Sequence, residues 1–256
     1  GDVMVAEGVL GARKVDAIFG LHVFPYRVGQ MVVRPEGIMA ASDTVQITVK
    51  GRQTHGALPW GGVDPIVVAS QVVLGLQTII SRQADLTKAP AVLTLGIFDG
   101  GVRANIIPDE AKLEGTLRTF DPAMQDDVHE RIRRTATHIA QSAGATAEVT
   151  ITRSNPVTWN DRALTERMAP SLRRVSPVGF EDDTQVTTTA EDFAHYQKKV
   201  PGMFFFLGVT PEGTDPATAA RNHSPRFYAD EGALVPGVRA MASLAVDFLA
   251  GGPIKR

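Results

Sequence analysis

The chain has 256 residues, 43% of them hydrophobic, which is enough to bury a sizeable core in one large domain or two modest ones and excludes disorder, collagen and coiled coil. Its 26 basic and 28 acidic residues leave a net charge of −2 without sign asymmetry, so a small molecule, rather than nucleic acid or an anionic membrane, is the expected partner. There is no cysteine, which rules out a disulfide framework, a thiol nucleophile and thiolate ligation, and leaves His, Asp and Glu to hold any metal.

The amino end, residues 1–14, is neither a signal nor a transit peptide, and no apolar run reaches the roughly 18 to 20 residues of a membrane span. A soluble chain is expected, with the cytoplasm as default location and any leader lying before Gly1. A short helix ending near Gly11 opens the chain. The apolar stretch Asp16 to Val23, bounded by Pro25, suits a buried strand of a parallel sheet with His22 at its carboxyl end.

Thr44 to Lys50 alternates with Val45, Ile47 and Val49 on one face, and Gly51 closes that strand. Asp64 followed by Pro65 is an N-cap signal, and apolar residues recur at helical spacing to Ser81. Strands follow at Ala91 to Ile97 and Lys112 to Phe120. Asp121-Pro122 then opens a helix that Gly144 stops, and a strand covers Thr146 to Thr152. This β-α-β-β-α-β order is the ferredoxin-like split βαβ signature, a four-stranded antiparallel sheet with both helices on one face.

Beyond Ser154-Asn155-Pro156 come helix, loop, the apolar strand Met203 to Leu207, another loop and a final helix from about Asp230 to Ala250. The expected fold class is α/β. A split α/β domain, residues 1–41 and 154–256, is interrupted by the βαββαβ module at 42–153.

No nucleophile elbow, Walker loop, dinucleotide fingerprint or zincin helix is present, so the chemistry must be scattered. His129 and His138 lie among arginines on a helix and read as solvated surface residues. His22 ends an apolar strand, where open α/β sheets place ligands; a metal ligand and a core histidine bonded to backbone are both open readings. His223 lies in a loop, Arg221-Asn222-His223-Ser224-Pro225, which is also formally a glycosylation sequon. Glu191-Asp192 precedes a helical stretch, where acidic residues complement the helix dipole unless a metal lies near. His55 and Asn105 leave strand ends of the inserted module. Arg118, on a strand, either snorkels at an edge or offers a planar fork to a carboxylate.

Together, GLHV at 20–23, GRQTHGALP at 51–59, RANIIPDEAKLEGTLRTFD at 103–121, AEDF at 190–193 and NHSPRF at 222–227 resemble the zinc aminoacylase and carboxypeptidase family. The N-acyl-amino-acid amidohydrolase branch, with hippurate hydrolase and the auxin-conjugate hydrolases, is the most similar. The resemblance implies a zinc-hydrolase-type α/β domain interrupted by a βαββαβ lid and dimerisation domain, two divalent metal ions, zinc or manganese, and an N-acyl amino acid substrate. It implies His22 and His223 as metal ligands and Glu191 as their support from behind. It further implies that His55 polarises the scissile carbonyl in the partner's site and that Asn105 and Arg118 help hold the substrate's carboxylate or the oxyanion.

The family's Cys-Gly-His-Asp and Pro-x-Glu-Glu motifs, with the other ligands and the general base, do not occur in this chain. The resemblance begins just after the Glu-Glu segment, so the sequence is expected to be a carboxy-terminal part or remnant of such an enzyme. The alternative is a non-catalytic dimerisation or amino-acid-binding module that keeps the fold without a complete metal site.

Overall fold

The computed structural model describes residues 1–11 and 14–251. In chain order the elements are α1 (Asp2–Ala6), β1 (Ile18–Arg27), β2 (Met31–Val32), β3 (Glu36–Met39), β4 (Ala41–Lys50), β5 (Thr54–His55), α2 (Pro65–Thr78), β6 (Ala91–Gly100), β7 (Ile106–Ile107), β8 (Glu110–Thr119) and α3 (Pro122–Ser142). They continue with β9 (Thr146–Asn155), β10 (Thr158–Asn160), α4 (Arg162–Val175), β11 (Phe180–Glu181), α5 (Ala194–Gln197), β12 (Gly202–Thr210) and α6 (Leu234–Gly251).

The chain divides into two compact units. The first comprises Gly1–Met39, Thr158–Thr187 and the chain from Glu191 onward; the second comprises Ala40–Val157 with Thr188–Ala190.

The first unit is built on a mixed sheet of order β1-β12-β2-β11, in which β1 runs parallel to β12 from Ile18 opposite Gly202 onward. Every residue of β12 is buried, as expected of a strand covered on both faces. On one face α4 and α6 close a core around Met31, Phe205, Leu207, Leu164 and Leu244, and on the other Phe193, Phe204 and Phe206 pack together. Gly20 makes that aromatic layer possible, since a Cβ there would meet the rings of Phe204 and Phe193 at 2.7 and 2.8 Å.

Two expectations for this unit are corrected. Helix α1 stops at Ala6, well before Gly11, because Gly8 adopts φ +85° and the Gly8 and Val9 N–H groups turn back to the carbonyls of Val5 and Met4, a helix-ending motif. Pro25 does not end β1. The strand heads the sheet order, where a missing N–H is tolerated, and a bulge between Phe24 and Arg27 carries it past the proline. His22 therefore sits within β1, opposite Phe206, rather than at its end.

The second unit has a sheet of order β6-β8-β4-β9 with all neighbours antiparallel. Val45, Ile47 and Val49 of β4 join Leu113 and Leu117 of β8 beneath α2 and α3, whose Val68, Val72, Leu76, Val128 and Ile132 complete the core. Both helices thus cover one face, and residues such as Thr44, Gln46, Glu114 and Thr116 line the other. Asp64 caps α2 by accepting from the Ile66 and Val67 N–H groups, and Asp121 caps α3 through Met124 N–H at 2.7 Å, contacts worth about 1 kcal/mol each. Asp127 and Arg131, one turn apart on α3, form an ion pair at 2.7 Å.

His129 is not a surface residue. It is only 6% exposed, on the sheet-facing side of α3, with Nε2 2.5 Å from the Asp43 carboxylate. The apolar-run reading also needs correction, because the helical segments Pro65–Gln83 and Glu231–Gly251 are long and apolar enough to cross a membrane. Each buries one face, around Val72 and Leu76 in the first and Ala240 and Leu244 in the second.

Candidate functional site

In the first unit, one backbone carbonyl organises the candidate metal ligands. Val23 C=O accepts from His22 Nδ1 at 2.6 Å and from Asn222 Nδ2 at 2.9 Å. A carbonyl can only accept, so the proton sits on Nδ1 and the lone pair of Nε2 is left free, the tautomer of a metal-binding histidine. His22 Nε2 faces Glu191 Oε2 at 3.9 Å. The second bond clamps the 221–225 loop to β1 through Asn222, directly before His223. Asn222 Oδ1 is buried without a partner, an acceptor that a cation or water would satisfy.

His223 itself is exposed and adopts φ +68°, the left-handed conformation that costs a side chain about 1 kcal/mol or more and clusters at functional sites. Asn222, singled out from sequence only within a sequon, is thus the positioning residue of the loop. Its signal is a long-range bond to a residue 199 positions away, which no local pattern carries. Gly1 N lies against the Asp192 carboxylate, next to Glu191.

In the second unit, His55 and Asn105 are brought together. The short β5–β7 ladder sets His55 opposite Ile106, and Gly56 N–H donates to Asn105 C=O at 2.8 Å. His55 Nδ1 accepts from Ala57 N–H at 3.1 Å, so the ring proton lies on Nε2, which is left to donate outward from an exposed side chain.

Arg118 stands on β8 opposite Ser42 of β4, on the face of the sheet that the helices leave open. It borders a cavity of about 370 Å³ with Ser42, Thr44, Thr94 and Thr116. Burial pulls its pKa down while the charge of Asp43 opposes that shift. No carboxylate pairs with Arg118 among the described residues, so its fork stays available to an anion.

Among the described residues no group of three His, Asp or Glu is arranged to hold a metal. His22 and Glu191, with His223 on the clamped loop, fit a partial donor set, short of the three or four protein ligands that a zinc site uses.

A mixed-sheet α/β unit presenting a histidine–carboxylate pair is thus interrupted in sequence by an antiparallel unit presenting a histidine and an arginine. The chain belongs to peptidase family M20/M25/M40, which it matches over residues 1–247. It is 34% identical over 247 residues to thermostable carboxypeptidase 2 of Saccharolobus solfataricus, covering 96% of this chain and 61% of that protein. It is 35% identical to an N-acetylcysteine deacetylase of Bacillus subtilis, covering 94% of this chain and 63% of that one. The crystal structure of a B. subtilis protein described as a dinuclear metal binding peptidase from the M20 family superposes with a TM-score of 0.76 at 33% identity, over 95% of this chain and 59% of that one. The chain thus spans about three-fifths of the length of these relatives.

Proposed function

We propose that the whole protein hydrolyses the amide bond of N-acyl or N-aroyl amino acids with the help of two divalent cations, zinc or manganese. The first unit is the zinc-hydrolase-type α/β domain, and the second is its ferredoxin-like lid, through which two copies pair. The observation that carries this reading is the shared Val23 carbonyl, which fixes the His22 tautomer and ties the His223 loop to the same strand. His22 and His223 hold the cations, and Glu191, whose Oε2 lies 3.9 Å from His22 Nε2 on the metal-facing side of the ring, stands as a further donor to them.

When bound, the cations supply Lewis acidity toward the scissile carbonyl and lower the pKa of a water molecule. The residues of this chain do the rest. Arg118 binds the substrate carboxylate bidentately, and Asn105, tied to the His55 loop through Gly56, hydrogen-bonds the substrate at the His55 end. The partner subunit's His55 donates its Nε2 proton in a hydrogen bond to the carbonyl oxygen and stabilises the negative charge that develops there.

Metal content tests the reading. In the whole protein, His22→Ala and His223→Ala should each lower bound metal, measured by elemental analysis, by at least one equivalent per chain, while His55→Ala leaves it unchanged. Full metal content in both histidine variants would refute the ligand assignment. The alternative, a non-catalytic dimerisation or amino-acid-binding module, predicts amino acid binding without stoichiometric metal in the whole protein.

A further inference from the structure

His55 belongs to a loop that is tied at its base by a pair of hydrogen bonds between Arg52 and Val63, at 2.9 and 3.0 Å. Inside it, Leu58 N–H donates to His55 C=O, Gly61 N–H to Leu58 C=O and Thr54 Oγ1 to the same Leu58 carbonyl, all within 3.1 Å. A Cβ at Gly62 would meet Arg52 O at 2.5 Å, so the two arms of the loop lie in contact. Such a closed, internally bonded loop is a rigid platform.

This platform displays Trp60 at 80% exposure and Leu58 at 49%. The neighbouring loop, joined to it through the β5–β7 ladder and the Gly56–Asn105 bond, displays Val102 at 93% exposure. A cavity of about 580 Å³ opens beside the two loops, lined by Pro59, Ile66 and Val102 together with the charged Arg103, and Trp60 and Leu58 stand outside it. Its one carboxylate, Asp64, is spent on capping α2.

A tryptophan presents about 150–250 Å² of surface that gains by leaving water. Held rigidly, it loses little entropy when it binds, which is the property of an anchor residue. We propose that Trp60, supported by Leu58 and Val102, determines acyl-group specificity by receiving a flat, apolar acyl end, an aryl group above all. This rests on the reading that His55 faces the carbonyl of the same acyl group. The ring at position 60 and the imidazole at position 55 then grip the two ends of one acyl unit.

The test uses NMR spectra of the whole protein stripped of metal so that no substrate is consumed, with the Trp60 indole N–H signal identified as the one that Trp60→Phe removes. N-benzoylglycine and N-acetylglycine are titrated separately, and the His55 imidazole signals are followed in the same spectra. The expected result is that His55 shifts with both ligands, Trp60 shifts only with N-benzoylglycine, and the benzoyl ligand binds about tenfold or more tightly. Trp60→Ala should bring the two affinities within about twofold, and Trp60→Phe should restore most of the preference.

If His55 responds while Trp60 stays still, or the preference survives in Trp60→Ala, the specificity role is wrong and the reading of His55 stands. If neither ligand moves His55, that reading fails and the inference fails with it. A Trp60 signal that follows protein concentration instead of ligand would show that a second copy covers the indole, which also overturns the proposal.

Discussion

The His129 imidazole on α3 and the Asp43 carboxylate on β4 meet at 2.5 Å inside the core of the second unit, where Gln125 Nε2 also reaches both Asp43 oxygens at 2.9 Å. Asp43 is 2% exposed, so these donors replace the water it has lost. His129→Leu should cost about 3 to 5 kcal/mol in urea unfolding, because it strands a buried carboxylate. His129→Gln, which keeps a donor, should cost less. A loss below about 1 kcal/mol in the leucine variant would mean that the pair does not hold α3 to the sheet.

Asp247 on α6 accepts from Ser171 Oγ at 2.5 Å and Arg174 at 2.6 Å on α4, and the Ser171 bond foremost, then that of Arg174, lowers its pKa from 3.8. A depressed carboxyl pKa gives stability that is fully present above the unfolded value and is lost as the pH falls through the folded one. Asp247→Asn should therefore reduce stability at neutral pH, and the gap from the parent chain should close below pH 3.8. Unfolding midpoints measured between pH 7 and about pH 2.5 check this; a gap that stays constant with pH would contradict the assignment.

Residues 42–153 should fold alone, since their four long strands and two helices carry their own caps and share one apolar core. Limited proteolysis of the whole chain should spare β4 and β9, whose outer ends at Ala41 and Asn155 are paired within the sheet. An unfolded circular-dichroism spectrum for the isolated segment, or early cleavage inside α2, would contradict the division.

What was legible in the sequence is what short-range chemistry determines. Asp64-Pro65 and Asp121-Pro122 announce helix starts because a cap needs only its next three residues. The alternation of Val45, Ile47 and Val49 reports their buried face because the pleat repeats every two residues. Strand ends were less legible. β4 begins at Ala41 and β9 runs to Asn155 because ladder bonds to neighbouring strands extend them past their alternating segments. His129 was misread because its partner lies 86 residues away, and a histidine among arginines looks like surface until Asp43 is folded beneath it. The motifs that single out His22, His55 and His223 are read from sequence, but the tautomers of His22 and His55 and the Asn222 clamp depend on contacts to backbone groups that only the fold supplies.

The central claim is that the lid histidine of one chain completes the metal site of another, and complementation in mixed dimers of the whole protein tests it most directly. His55→Ala alone should lower kcat on an N-acyl amino acid by about 100-fold or more, as expected for loss of an oxyanion donor. His223→Ala alone should inactivate through loss of metal. Mixed, the two inactive proteins should regain activity, because each heterodimer joins an intact His55 from one chain with an intact metal site from the other, giving one working site. If heterodimers form and the mixture stays as inactive as its parents, His55 does not act across the dimer and the account is wrong.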